Sequence, residues 1–150
     1  MTSKAYRPNV AAILQKSDGK ILICQRADFP DCWQFPQGGI DEGEIALQAL
    51  HRELEEETGL QISHYEVLDS HDGYRYDFPA GSPLKKGFIG QEQTYYLCRF
   101  TGQNSDIDLN THNIEFTHFR WINPNEFQAD WLPDFKQKVV LQAMKDLLKI

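Results

Sequence analysis

The chain has 150 residues, 41% of them hydrophobic and 25% charged, with a formal net charge of −7. That length fits one domain over residues 1–150 with a real core, and the acidic balance excludes broad, charge-driven binding to DNA or RNA. The N-terminus has no charged start followed by an apolar stretch, and no apolar run approaches a membrane span, so a cytoplasmic location without a membrane partner is expected.

In chain order, residues 9–14 and 21–25 are short apolar strands, and Ser17-Asp18-Gly19 between them is a hairpin turn signal. Trp33 and Phe35 are expected in the core, setting the loop that leads into the next segment. Cys24, Cys32 and Cys98 are odd in number and lack C-x-x-C spacing, so they are expected to be reduced thiols.

Residues 38–60 read GGIDEGEIALQALHRELEEETGL. On a helix, Glu53, Glu56 and Glu57 are related by i, i+3 and i+4 and share an arc of roughly 100°. Leu47, Leu50 and Leu54 fall on the adjacent arc and are expected to face the core, whereas His51 projects away from the acids and is expected in solvent. Asp41 followed by Glu44 is an N-cap signal of capping-box type, and Gly59 stands where the helix would stop in a left-handed conformation. Pro36, Gly38 and Gly39 favour a preceding loop whose backbone can approach a ligand closely. Three carboxylates beside a buried face repel one another. A hard divalent cation relieves that repulsion, and oxygen-only ligands suit Mg2+ or Mn2+.

Beyond the helix, residues 65–69 and 73–78 are extended, and residues 94–100 form a mostly buried strand rich in aromatics. Residues 80–90 form a Gly-, Pro- and Lys-rich loop expected to be mobile. Residues 116–122 are a further strand, Pro124 opens a short turn at an N1 position, and apolar residues recur at helical spacing from Pro133 onward. Two helices flanking a mixed sheet give an α/β class fold, an α/β/α sandwich with a loop-helix-loop motif. His51, His64, His71, His112 and His118 show no metal-ligand spacing, so a histidine-based metal site is not expected.

Gly38, Glu44, Arg52-Glu53-Leu54, Glu56-Glu57 and Gly59-Leu60 stand at fixed intervals, and this pattern resembles the Nudix box at every fixed position. The resemblance implies the Nudix fold and hydrolysis of a nucleoside diphosphate linked to a further group. It also implies that Glu44 with Arg52 braces the loop-helix-loop, between Gly38 and Gly59. Glu53 and Glu57 would be metal ligands, and Glu56 a metal ligand or the base that deprotonates the attacking water. Tyr6-Arg7-Pro8-Asn9-Val10, residues 33–39, Gly90-Gln91, Glu115-Phe116 before Arg120-Trp121, and Phe135-Lys136 resemble one branch of that family. Its members act on 5′-triphosphate RNA ends or on dinucleoside polyphosphates.

By the same resemblance Glu115 is the fourth functional carboxylate, ligand or base. Arg7, Arg26 and Lys136 would surround the polyphosphate, since guanidinium and ammonium groups suit phosphate oxygens. Tyr76 and Phe135 would face the ligand as base-stacking rings, and Arg75, Lys85 and Lys86 would add to an access groove. The stretch from Gln25 to Cys32 departs from the branch by being one residue longer and poorer in arginine. Three functions remain open at this point: removal of pyrophosphate from RNA 5′ ends, hydrolysis of diadenosine polyphosphates, and non-catalytic nucleotide sensing. The intact acid set counts against the third.

Overall fold

The computed structural model describes residues 5–82 and 87–150. Seven strands form one mixed sheet: β1 (Tyr6–Gln15), β2 (Ile21–Arg26), β3 (Trp33–Gln34), β4 (Gln37–Gly39), β5 (Tyr65–Asp77), β6 (Gly90–Phe100) and β7 (Phe116–Ile122). The path runs β3-β2-β1-β6-β5, with β4 paired to β1 and β7 to β2. Among the described residues β1 and β6 pair in parallel, from Tyr6 opposite Gly90 to Gln15 opposite Arg99, and the other pairs are antiparallel.

The continuous apolar run of β1 follows from burial on both faces of the sheet. Val10, Ala12 and Leu14 pack with Leu50 and Leu54 of helix α1 (Ala46–Thr58) on one side. Ala11 and Ile13 point the other way and pack with Val140, Met144 and Leu147 of helix α2 (Asp134–Leu148). Alternation along one strand thus supplies two cores, and the result is the expected α/β/α sandwich.

The hairpin turn forms where expected, with Gly19 at a φ of 91°, and the strands seen in the sequence at residues 9–14 and 21–25 lie inside β1 and β2. The two extended segments at residues 65–69 and 73–78 are one strand, β5, whose register against β6 shifts between Val67 and Asp69 and between His71 and Tyr74. Those irregularities broke the alternation that would have joined them. The short strands β3 and β4 were not foreseen, because two or three residues carry no period of their own. Pro124 opens a single short turn, Pro124–Glu126, as expected.

Three expectations about α1 need correction. The helix begins at Ala46, not just after Asp41, and its cap is the backbone of Ile45, whose N–H donates to Gln48 Oε1 at 3.0 Å. Asp41 and Glu44 instead close a separate turn, Asp41 N–H donating to Glu44 Oε1 at 2.8 Å and Glu44 N–H to Asp41 O. Leu47 is 39% exposed, and the inner face is filled by Ala49, Leu50 and Leu54. His51 is not in free solvent: its ring stacks on Tyr65, and its Nδ1 lies 2.6 Å from the Tyr65 hydroxyl. All three cysteines are buried free thiols. Of the loop at residues 80–90, Lys85 and Lys86 lie outside the described residues. Among the described residues, no helix is long and apolar enough to cross a membrane.

Candidate active site

Helix α1 ends as its sequence requires. Gly59 takes a φ of 72° and its N–H donates to Glu55 O, closing the last turn where a Cβ would be strained. The helix therefore aims the Glu53–Glu57 face at the loop that contains β4.

Arg52 holds that loop to the helix. Its Nε and Nη2 form a fork on Glu44 at 2.7 and 2.9 Å, Nη2 also donates to Gly39 O at 2.8 Å, and Nη1 donates to Glu53 at 2.7 Å and Glu56 at 3.3 Å. A planar guanidinium with five N–H groups is the side chain suited to so many acceptors at once. The Glu44 carboxyl is held down from 4.5 to about 2, chiefly by the Arg52 bond and then by Asp41 N–H. Arg52 thus bonds Glu44 and Gly39 of the loop from its place on the helix.

Glu57 is only 6% exposed, and its Oε1 accepts a bond from Gln37 N–H at 3.0 Å. Burial pushes its carboxyl well above the usual range, and the neighbouring charges of Glu53, Glu115 and Glu56 push the same way. Burial also raises Glu53, with Arg52 opposing. Gly38 packs against Glu53 so closely that a Cβ there would sit 2.0 Å from Glu53 Cδ. Glycine at position 38 is therefore a matter of space for a carboxylate.

Opposite these acids stand cations. A cavity of about 340 Å³ is lined by Arg7, Arg26, Lys136, Glu53, Glu57 and Glu115, together with Asn9, Gln34, Gln37, Gly38, Gly39 and Gln91. A cleft of about 470 Å³ adjoins it, lined by Glu53, Glu55, Glu56, Glu57 and Glu115 with Thr111, His112 and Asn113. Glu115 reaches this place through the β2–β7 pairing: its carbonyl accepts from Ala27 N–H at 2.9 Å, next to the register shift at Gln25/Arg26. Six residues singled out in the sequence for charge thus meet in one cavity, and Glu56 lies on its acidic extension.

The aromatic pair sits differently from expectation. Tyr76 is 6% exposed and packed against Phe78 and Phe135, so it offers no open stacking face. Its hydroxyl donates to Gln91 Oε1 at 3.1 Å, and it is Gln91 that lines the cavity. Phe135 is half-buried, and Lys136 Nζ lies 5.8 Å from both ring centroids. Arg75 is turned away from the cavity, in a salt bridge to Glu92 at 2.7 Å and over the Tyr6 ring. Arg26 lines the cavity while forked on Asp28 at 2.9 and 2.6 Å and stacked on Phe29. Asp28 falls in the stretch where the sequence departs from its branch.

Sequence reasoning missed the side-chain amides Asn9, Gln34, Gln37 and Gln91 on the cavity wall. The available signal was Gln91 and Gln93 at i and i+2 on one strand, with Arg7 and Asn9 as their partners in parallel register.

Among the described residues, no three acidic, histidine or cysteine side chains close around a single point. The donor set nonetheless suits a hard cation. All its members are carboxylates, one is buried against three like charges, and oxygen ligands of this kind are what Mg2+ and Mn2+ select.

The chain matches the NUDIX domain family over residues 5–143. It is 43% identical over 150 residues to the RNA pyrophosphohydrolase of Helicobacter pylori (strain G27), covering 96% of this chain and 94% of that one. Its identity to the RNA pyrophosphohydrolase of Stenotrophomonas maltophilia (strain K279a) is 39% over 147 residues, covering 95% and 70%. Among solved structures, an Ap4A hydrolase binary complex from C. elegans superposes with a TM-score of 0.66 at 16% identity, covering 96% and 99%. The E. coli dihydroneopterin triphosphate pyrophosphohydrolase gives 0.67 at 18%, covering 97% and 99%. At such low identity these two structures speak to the fold alone.

Proposed function

The chain belongs to the NUDIX domain family, and from that premise we propose that it is a metal-dependent hydrolase that removes pyrophosphate from 5′-triphosphate RNA ends. It is an enzyme acting on phosphoanhydride bonds. The observation that carries the reading is the cavity with Glu53, Glu57 and Glu115 set among Arg7, Arg26 and Lys136, in a chain 43% identical to an RNA pyrophosphohydrolase over nearly the full length of both. An RNA substrate is compatible with a net charge of −7, because only the 5′ end need enter and the cations are gathered where the phosphates would lie.

Glu53, Glu57 and Glu115, with Glu56 beside them, would hold the divalent ions, Mg2+ by preference and Mn2+ as a substitute. Such ions, when bound, neutralise phosphate oxygens and make a bound water more acidic. The chain's own residues do the rest. Arg52 keeps Glu53 and Glu56 in register with the loop, so the carboxylates are oriented before substrate arrives. Arg7 and Lys136 fix the polyphosphate, and the Phe135 face lies beside Lys136 to receive a base. Glu56, whose side chain is 58% exposed, and the exposed Glu115 are the two carboxylates open enough to take the proton from the attacking water.

The test supplies purified protein with 5′-triphosphate RNA and, separately, with diadenosine tetraphosphate, each with Mg2+ and with product analysis. Release of pyrophosphate from RNA with kcat/KM about 100-fold above that for the dinucleotide, roughly 2.7 kcal/mol in transition-state stabilisation, is the expected result. The reverse preference would reassign the substrate. No turnover of either would remove the reading.

A further inference from the structure

The cavity must hold a polyanion in a chain whose nearest acids are the ligand carboxylates, and it has few cations with which to do so. The orientation of its four side-chain amides addresses that problem. Gln93 lies beneath the cavity at 1% exposure, and its Nε2 donates both hydrogens, to Asn9 Oδ1 at 2.9 Å and to Gln37 Oε1 at 3.0 Å. The Tyr76 hydroxyl donates to Gln91 Oε1 at 3.1 Å. The Cys32 thiol donates to Gln34 Oε1 at 3.7 Å, a distance suited to sulfur. In each of the four amides the oxygen is engaged from the protein side, and all four residues line the cavity. The end left for the cavity is the NH2 group in every case.

We infer that Asn9, Gln34, Gln37 and Gln91 form a neutral donor wall for the polyphosphate, turned outward by Gln93, Tyr76 and Cys32 acting from behind as positioning residues. The inference rests on the polyphosphate reading of the site and specifies how that site binds its anion. Amide N–H groups bond phosphate oxygens without adding charge, so they do not compete with divalent ions for the neighbouring carboxylates. Gln93 has a second link to the chemistry, because the residue it orients, Gln37, also donates its backbone N–H to Glu57 at 3.0 Å. Burial raises the Cys32 and Tyr76 groups above their ordinary values, which keeps both protonated as donors at neutral pH.

The test uses the full chain and three proteins. Side-chain NH2 resonances are followed by NMR as inorganic tripolyphosphate is added in magnesium-free buffer. The Asn9, Gln34, Gln37 and Gln91 signals should shift in the wild type while those of Gln93 stay in place. Movement of the Gln93 signals with the other four still would mean that carbonyls face the cavity, and would overturn the inference. In steady-state kinetics on 5′-triphosphate RNA, Gln93→Glu should raise KM at least about tenfold with kcat within about threefold, because a glutamate cannot donate to both amide oxygens. Tyr76→Phe keeps the ring packing and removes only the donor to Gln91, and should raise KM by about fivefold. Should Gln93→Glu fail to fold, Tyr76→Phe and the NMR shifts decide the matter. Unchanged KM in a folded variant would overturn the donor role. A wild type that binds tripolyphosphate through these amides but leaves RNA intact would sink the substrate assignment and spare the donor wall.

Discussion

Gly38→Ala separates space for a carboxylate from the stability of the fold. A Cβ at this position would lie 2.0 Å from Glu53 Cδ and 2.2 and 2.4 Å from its two oxygens. Ordinary contact begins near 3.4 Å, so the carboxylate must retreat by about 1.4 Å. Gly38 does not have a positive φ, so alanine strains no backbone there. The obstruction is the far end of a flexible side chain, and a forced rotamer costs about 0.5–1.5 kcal/mol. For a domain of this size that corresponds to a fall in Tm of only several degrees. Catalysis should suffer far more, because a displacement of about 1 Å in a reacting or ligating group costs on the order of 100-fold. Thermal melting and magnesium-dependent hydrolysis of 5′-triphosphate RNA are measured on the same preparation. The expected outcome is a folded variant with kcat/KM down at least about 100-fold, and a Gly38→Ala/Glu53→Gln double variant little worse than either single one. A folded Gly38→Ala protein with kcat/KM within about threefold of wild type would refute the reasoning, because Glu53 would then be free to move without consequence.

Glu57→Gln should abolish turnover yet raise the metal-free Tm, since it removes a buried charge facing Glu53, Glu115 and Glu56; differential scanning calorimetry with and without Mg2+ checks this, and a lower metal-free Tm would count against the repulsion. Glu44 has its folded pKa depressed from 4.5 to about 2, so its contribution to stability is present above about 4.5 and is lost as pH falls toward 2. Glu44→Gln should accordingly flatten the acid-unfolding curve in that window, and an unchanged slope would exclude Glu44 as its source. Arg7→Ala and Lys136→Ala should each raise KM for 5′-triphosphate RNA by roughly 10-fold with Tm little altered, charge-assisted hydrogen bonds contributing about 1.5–3 kcal/mol. A lower Tm with kcat/KM intact would make either residue structural.

What the sequence made legible was local. The acids of α1 repeat within a single turn and Gly59 terminates the same helix, so the spacing that creates their shared face is written in adjacent residues. The strands around residues 9–14 and 21–25 announce themselves for the same reason. Asp41 and Glu44 do have the predicted mutual bond, but in a turn that precedes the helix, because Arg52 captures the Glu44 carboxylate. Leu47 lies within about 20° of buried Leu54 round the helix, but it stands in the first turn, where it is left exposed and Ala49 and Leu50 fill the inner face. Tyr76 looked like a platform because its ring is large, and became a support because Phe78 and Phe135 cover it.

The amides could not be read in advance for a different reason. Asparagine and glutamine follow no period, and an amide has two ends of opposite character within one side chain. Which end faces a ligand is decided by a partner elsewhere, and for Asn9 that partner is 84 positions away. The parallel pairing of β1 with β6 is what brings them together, placing Arg7 opposite Gln91 and Asn9 opposite Gln93. One register therefore delivers a cation and the oriented neutral donors to the same wall, while α1 and the β2–β7 bulge deliver the carboxylates to the other. A slip of one residue between β1 and β6 would turn Arg7 and Asn9 to the face opposite Gln91 and Gln93, so the cation and the donors would no longer share a wall. Catalytic competence is in this way tied to the same strand pairing that builds the two cores.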